Sequence, residues 1–425
     1  MTATQLAPAF FAAAVVILVV CRLVARLLSF AAQPPVVGEM VAGVLLGPSL
    51  LGLVAPGAEH ALFPDSLRPV LYVVGQIGLV AFMFQAGHEF RSFVNGKLAG
   101  TAAALSAAGI VVPLVLGVGL TVLAHGHVGV FAPGVPLGVS AGFVGVALAI
   151  TAFPMLARII TERGLSGSRY GSLALAGGAL DDVVAWCLLA AVLSVAAGRL
   201  RPLLEAVGGA AVFALVTYYV LRPLLARVMD HPRLNDEVRL LVAAAALFGA
   251  AWFTDTIGLF AVFGAFCVGM VMPRGPAAER VVATASTSAR VLFLPMFFVY
   301  SGLNTRFALL GDPALLVFSL LAVIAAVAGK FGGCWAAARL RGEPQAVAVR
   351  LGALMNARGL MQLIALNVGL QAGIVNHALF TALVLVALVT TIMTTPVLAW
   401  LDRRFPAPPD PDPLPRAVAV AVPEH

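Results

Sequence analysis

GSLALAGGALDDVVAWCLLAAVLSVAA, residues 171–197, holds two adjacent aspartates, Asp181 and Asp182, near the middle of an otherwise apolar run. A membrane-spanning helix needs roughly 20 mainly apolar residues, and this stretch supplies them. A charge at that depth costs from about 3 to over 10 kcal/mol, depending on the scale, so an ionisable residue there reads as functional. Neighbours on a helix point about 100° apart. One aspartate can therefore face a cavity while the other faces a partner.

The rest of the chain has the same character. Its 425 residues are 61% hydrophobic and 11% charged, against about 25% charged in a soluble domain. A soluble core cannot bury that much apolar surface, so lipid is the expected solvent. The chain reads as an all-α polytopic membrane protein with about thirteen spans: 7–28, 36–54, 67–88, 98–124, 136–159, 168–197, 203–226, 237–254, 257–272, 284–303, 313–338, 347–370 and 376–400. Residues 1–405 form one transmembrane domain, and the Pro-rich stretch 406–425 reads as a disordered tail. The four cysteines lie in apolar runs without CxxC spacing, and the histidines fall in loops or at span ends, where none forms a metal pair with carboxylates. No metal site, cofactor or disulfide is expected.

The formal charge of +7 does not point to nucleic acid, because no basic patch with interleaved aromatics occurs. It reflects loop arginines on one side of a membrane. With the N-terminus outside, twenty Lys and Arg, among them Arg22, Arg91, Lys97, Arg163, Arg350 and Arg416, fall on the cytoplasmic side. Four (Arg68, Arg199, Arg201 and Arg306) fall outside. That asymmetry places the C-terminus in the cytoplasm of a plasma (inner) membrane. Lys330 and Arg358 are left within spans.

An internal repeat organises the spans. FMFQAG (82–87) in the third resembles FFVYSG (297–302) in the tenth, and GVLLGP (43–48) in the second resembles VGMVMP (268–273) in the ninth. Both matches are seven spans apart, which reverses orientation. Two inverted six-helix repeats, about 7–197 and 237–400, then flank a linker helix at 203–226. Inverted repeats mark secondary transporters, whose sites lie near mid-membrane at the repeat interface. The fifth and twelfth spans correspond and both look broken. One contains Thr151-Ala152-Phe153-Pro154, the other Asn356-Ala357-Arg358-Gly359. Pro removes a backbone donor, and broken helices at matching positions point to the transport site.

Lys330 is the expected partner of the aspartates. The chain has 26 Lys and Arg, of which only 2 are Lys, and a buried Lys, unlike Arg, can lose its proton. Arg358 is expected to hold the crossing together and balance charge. Gln362, one helical turn later, should share its face. The expected mechanism is competition at one carboxylate. Ionised Asp182 binds dehydrated Na⁺ or K⁺ with help from the Thr151 hydroxyl, and protonated Asp182 does not. Asp181 pairs with Lys330.

Several long motifs resemble the monovalent cation:proton antiporter superfamily, in the branch of the Kef-type transporters and plant cation/H⁺ exchangers. They are QPPVVGEMVAGVLLGPSLLG (33–52), AFPMLARIITERG (152–164), ALDDVVAW (179–186), LPMFFVYSGL (294–303) and MNARGLMQLIALNVG (355–369). The resemblance covers about residues 10–400. It implies the Na⁺/H⁺ antiporter fold, a homodimer, and an elevator-like movement of spans 4–6 with 11–13. By position, it assigns ion binding to Asp182, pairing to Asp181 and Lys330, and the broken-helix arginine to Arg358. The chain departs from the pattern at Gln362, where relatives usually carry Glu, and at Phe260, where many have His. Two rival readings are weaker. An organic-anion transporter on the same fold would not need the Asp-Asp and Lys set. An intramembrane aspartyl protease needs carboxylates on facing helices and a GxGD motif, whereas the sequence reads GALDD (178–182). No enzyme is expected.

Overall fold

The computed structural model describes residues 3–31, 33–90, 98–126, 129–165, 168–196, 198 and 200–405. The tail 406–425 and four of the residues used for orientation, Arg91, Lys97, Arg199 and Arg416, lie outside the described residues. All regular structure among the described residues is helical.

The first half contains α1 (Ala3–Ser29), α2 (Pro35–Leu46), two short helices α3 (Leu51–Val54) and α4 (Pro56–Leu62), α5 (Arg68–Phe90), α6 (Ala99–Ala124), α7 (Leu137–Ala149), α8 (Phe153–Glu162) and α9 (Arg169–Ala196). Then come α10 (Leu200–Val216) and α11 (Arg222–Asp230), joined through a π-helical turn. The second half contains α12 (Asp236–Thr256), α13 (Ala261–Val271), α14 (Pro276–Ser288), α15 (Leu294–Leu303), α16 (Pro313–Leu340), α17 (Gln345–Met355), α18 (Leu360–Gln371) and α19 (His377–Arg404). Ten helical stretches among the described residues are long and apolar enough to cross a membrane. The other three expected spans are built from shorter pieces: α7 with α8, α13 alone, and α17 with α18.

Helix starts follow from local chemistry. Asp312, Asn235 and Asn376 cap α16, α12 and α19, each accepting a hydrogen bond from a first-turn amide, which satisfies donors the helix leaves free. Pro34 precedes α2, and Pro35 is its first residue, where the missing N–H costs nothing. The same logic puts Pro154 at the second position of α8. It opens the second half of the broken span rather than kinking a continuous helix.

The helices form two groups. α6 to α9 pack with α16 to α19, while α1, α2, α5 and α12 to α15 pack together. In the second group the pairs α2 with α15 and α5 with α13 cross at glycines. A Cβ on Gly302 would overlap the Gly43 carbonyl, and one on Gly269 would overlap the Phe84 carbonyl beside Gly87. Gly87 and Gly302 are the residues that end the two matched motifs. Small residues of this kind let membrane helices approach backbone to backbone. Between the groups, at the end carrying Arg163, opens a cavity of about 470 Å³ lined by Ser29, Gln33, Pro35, Ile159, Arg163 and Thr395.

Candidate functional site

Two interruptions meet inside the first group of helices. α7 stops at Ala149 and α8 starts at Phe153, and α17 stops at Met355 while α18 starts at Leu360. The Ala152 amide donates to the Ala357 carbonyl at 3.1 Å, so the two unwound segments are bonded to each other. Gly359 has φ 111° and ψ −117°, a conformation open to glycine and strained for other residues. The sequence located both breaks.

α9 runs past this crossing and brings both aspartates to it. Asp181 and Lys330 are fully buried, and Lys330 Nζ lies 2.6 Å from Asp181 Oδ2. The same ammonium donates to the Ala149 carbonyl at 2.5 Å. That carbonyl is among the last four of α7, which lack partners within the helix, and a cation there also complements the helix dipole. Arg358 serves the same terminus. Its Nη2 donates to Leu148 O at 2.5 Å and to Ala326 O at 3.1 Å, and its Nη1 to Asn356 Oδ1 at 3.2 Å. Both buried cations therefore cap α7, and Lys330 alone also pairs with an acid.

Two expectations change in detail. The Thr151 hydroxyl, expected to support Asp182, donates instead to Asp181 Oδ2 at 2.6 Å. Its short side chain leaves the unwound segment on the Asp181 side of α9. Arg358 precedes the first residue of α18, so no helical turn relates it to Gln362. Gln362 Nε2 donates to Leu383 O of α19 at 3.1 Å instead. Gln362 Oε1 and Arg358 Nε are buried without a hydrogen-bond partner.

Asp182 is the open position. It is only 3% exposed, and neither carboxylate oxygen has a hydrogen-bond partner among the described residues. The amide of Phe153, at the N-terminus of α8, is a backbone donor toward it, outside the geometry of a full hydrogen bond. A cavity of about 10 Å³, room for about one water molecule, adjoins it and is lined by Ile150, Ala185, Trp186, Leu189 and Met361. Asp181 Oδ1 is also free. Sequence reasoning missed Gly109 of α6, where a Cβ would lie 2.8 Å from Cys334 Sγ and 3.6 Å from Lys330 Nζ. It also missed the carbonyls of Leu148, Ala149 and Ala326, since a backbone acceptor leaves no mark on the sequence.

Fold and site together define a polytopic membrane protein in which two interrupted helices cross beside a buried carboxylate that has no side-chain partner among the described residues. The match to known families is specific: the family model described as "Sodium/hydrogen exchanger, transmembrane" covers residues 14–401, and the chain belongs to that family. It is 36% identical over 408 residues to the Na(+)/H(+) antiporter NhaS4 of Synechocystis sp., covering 93% of this chain and 96% of that one. It is 34% identical over 390 residues to Cation/H(+) antiporter 18 of Arabidopsis thaliana. That match covers 90% of this chain but 48% of the plant protein, so the chain spans about half of that relative. Among solved structures it is similar to the sodium proton antiporter MjNhaP1 from Methanocaldococcus jannaschii, with a TM-score of 0.66 at 14% identity over 92% of this chain and 95% of that one. At that identity the likeness is one of fold.

Proposed function

We propose that the protein exchanges a monovalent cation, Na⁺ or K⁺, for protons by alternating access, with Asp182 as the shared site. The observation that carries this reading is the Asp182 carboxylate, buried beside the helix crossing with neither oxygen in a full hydrogen bond among the described residues. A bare charge at that depth is costly, so the group is neutralised either by a proton or by a dehydrated cation. One site that holds either, and not both, couples the two fluxes. Asp181 Oδ1 and the unwound segments supply further oxygens for the cation, while Lys330 and Arg358 hold the crossing.

The helix groups fit the second requirement of exchange, access from one side at a time. The group α6 to α9 with α16 to α19 carries the site and moves against the other group. The reading includes the plasma membrane, an outside N-terminus, a cytoplasmic arginine-rich face and a homodimer. The test is proton movement in proteoliposomes with an acid lumen and a trapped pH dye. Added Na⁺, K⁺ or Li⁺ should alkalinise the lumen, choline should not, and Asp182→Asn should respond to none. Full exchange in that variant would refute the assignment. Silence of the folded wild type toward every alkali cation would shift the reading to an organic substrate.

A further inference from the structure

Trp186 is one helical turn after Asp182 on α9, roughly 5 Å further along the axis. It forms a wall of the small cavity beside the carboxylate. α9 begins at Arg169, which pairs with Glu343 at the arginine-rich end, so Trp186 lies on the opposite side of Asp182 from the large open cavity. Its indole packs on the ring of Phe260, with centroids 5.5 Å apart and planes inclined by 45°. Phe260 is the residue immediately before α13, in the other helix group. The two rings thus meet across the boundary between the groups, between the Asp182 cavity and the far end of the protein.

Phe260 is held there at a cost. With φ 64° it is the one non-glycine residue among those described with a positive φ, a conformation that persists only where the surroundings impose it and that concentrates at functional sites. Thr254 of α12 braces the turn on both sides of it. Its hydroxyl lies 2.9 Å from the Phe260 carbonyl and 2.9 Å from the Ala250 carbonyl, sharing one proton between them, and its carbonyl accepts from the Leu259 amide at 2.8 Å. A turn whose only task was to start α13 would be better served by glycine. The strain instead aims a large ring at Trp186.

We propose that the Trp186–Phe260 pair is the gate that seals the Asp182 cavity from the end opposite the arginine-rich face. It rests on the alternating-access reading above. While the large cavity admits ions from one side, the ring pair excludes water and ions from the other. Sliding of α9 against α13 separates the rings and opens the second route. A breach of the seal without that movement exposes Asp182 to both sides at once, and the coupled exchanger becomes a leak.

The test uses proteoliposomes carrying an imposed pH gradient, in two separate arms. In the first, choline is the sole cation, and wild type should hold the gradient. Trp186→Ala and Phe260→Gly should dissipate it several-fold faster, and Trp186→Phe should restore the seal. Phe260→Gly removes the ring while relieving the positive φ, so it keeps the fold should Trp186→Ala fail to reach the membrane. In the second arm an alkali cation is added, and the wild-type response tests exchange independently of the seal. Gradients held in choline by both variants as well as by wild type overturn the gate, whatever the second arm shows.

Discussion

At the scale of single residues, the sequence exposed the charges and hid their partners. Asp181, Asp182, Lys330 and Arg358 stand out because an ionisable group in an apolar run is expensive. The structure brings all four to the crossing within one helix group. It also shows that the pair is Asp181 with Lys330, and that Thr151 completes the pair rather than serving Asp182. Which of two adjacent aspartates faces which neighbour depends on the azimuth of α9, and periodicity in an almost wholly apolar helix does not fix it. The ion pair gives a direct prediction. Both partners are fully buried, and removing one member of such a pair leaves an uncompensated charge at a cost of about 3–5 kcal/mol. Lys330→Met should therefore lower the melting temperature of the purified protein strongly. Adding Asp181→Asn should recover most of the loss, because the two effects are not additive for groups in contact. Equal melting of the single and double variants would show that the pair carries no such coupling.

At the scale of elements, the expected span limits agree with the helices to within a few residues over most of the chain. Agreement is closest where a long apolar run is bounded by a cap, as at Asp312 before α16 and Asn376 before α19. It is weakest where one span comprises two helices. The breaks were legible from Pro154 and from Asn356 to Gly359, but the bond from Ala152 to Ala357 was not, because it joins two backbones some 200 residues apart. Gly359 separates conformational from steric demand. A Cβ there would meet nothing closer than 3.5 Å, so space is available, yet φ is 111°. Gly359→Ala should cost about 1–3 kcal/mol through backbone strain alone. The same change at Gly249, an open position inside α12 with no neighbour within 4 Å, should be neutral or slightly stabilising. Melting of the two variants side by side checks this. Equal stability would show that the break tolerates side chains and that the positive φ is incidental.

At the scale of the whole molecule, polar contacts occur both within the two helix groups and across the boundary between them. Ion pairs tie the arginine-rich ends of the site-bearing group together: Arg163 and Arg350 share Asp402, and Arg169 binds Glu343. Arg280 and Asp236 do the same within the other group. Across the boundary, Glu39 of α2 and Arg158 of α8 attract electrostatically, and two of the hydrogen bonds among the described residues join neutral groups. Gln33 donates to the Ile392 carbonyl at one end, and Asn367 Nδ2 donates to Ser301 Oγ at 2.7 Å at the other. The Asn367–Ser301 bond links α18 to α15 on the far side of the crossing from the large cavity, where the groups are closed together. A covalent link at this pair should hold them closed. With Cys21, Cys187, Cys267 and Cys334 replaced, the variant Ser301→Cys with Asn367→Cys, bridged by a short thiol crosslinker, should lose exchange in proteoliposomes. A crosslinker that contains a disulfide allows the link to be cut, and exchange should then return on reduction. Each single cysteine variant given the same treatment should keep its exchange, which separates the link from chemical damage. Exchange that persists in protein shown to be crosslinked would mean that α15 and α18 stay together throughout the cycle, and the moving boundary would have to lie elsewhere.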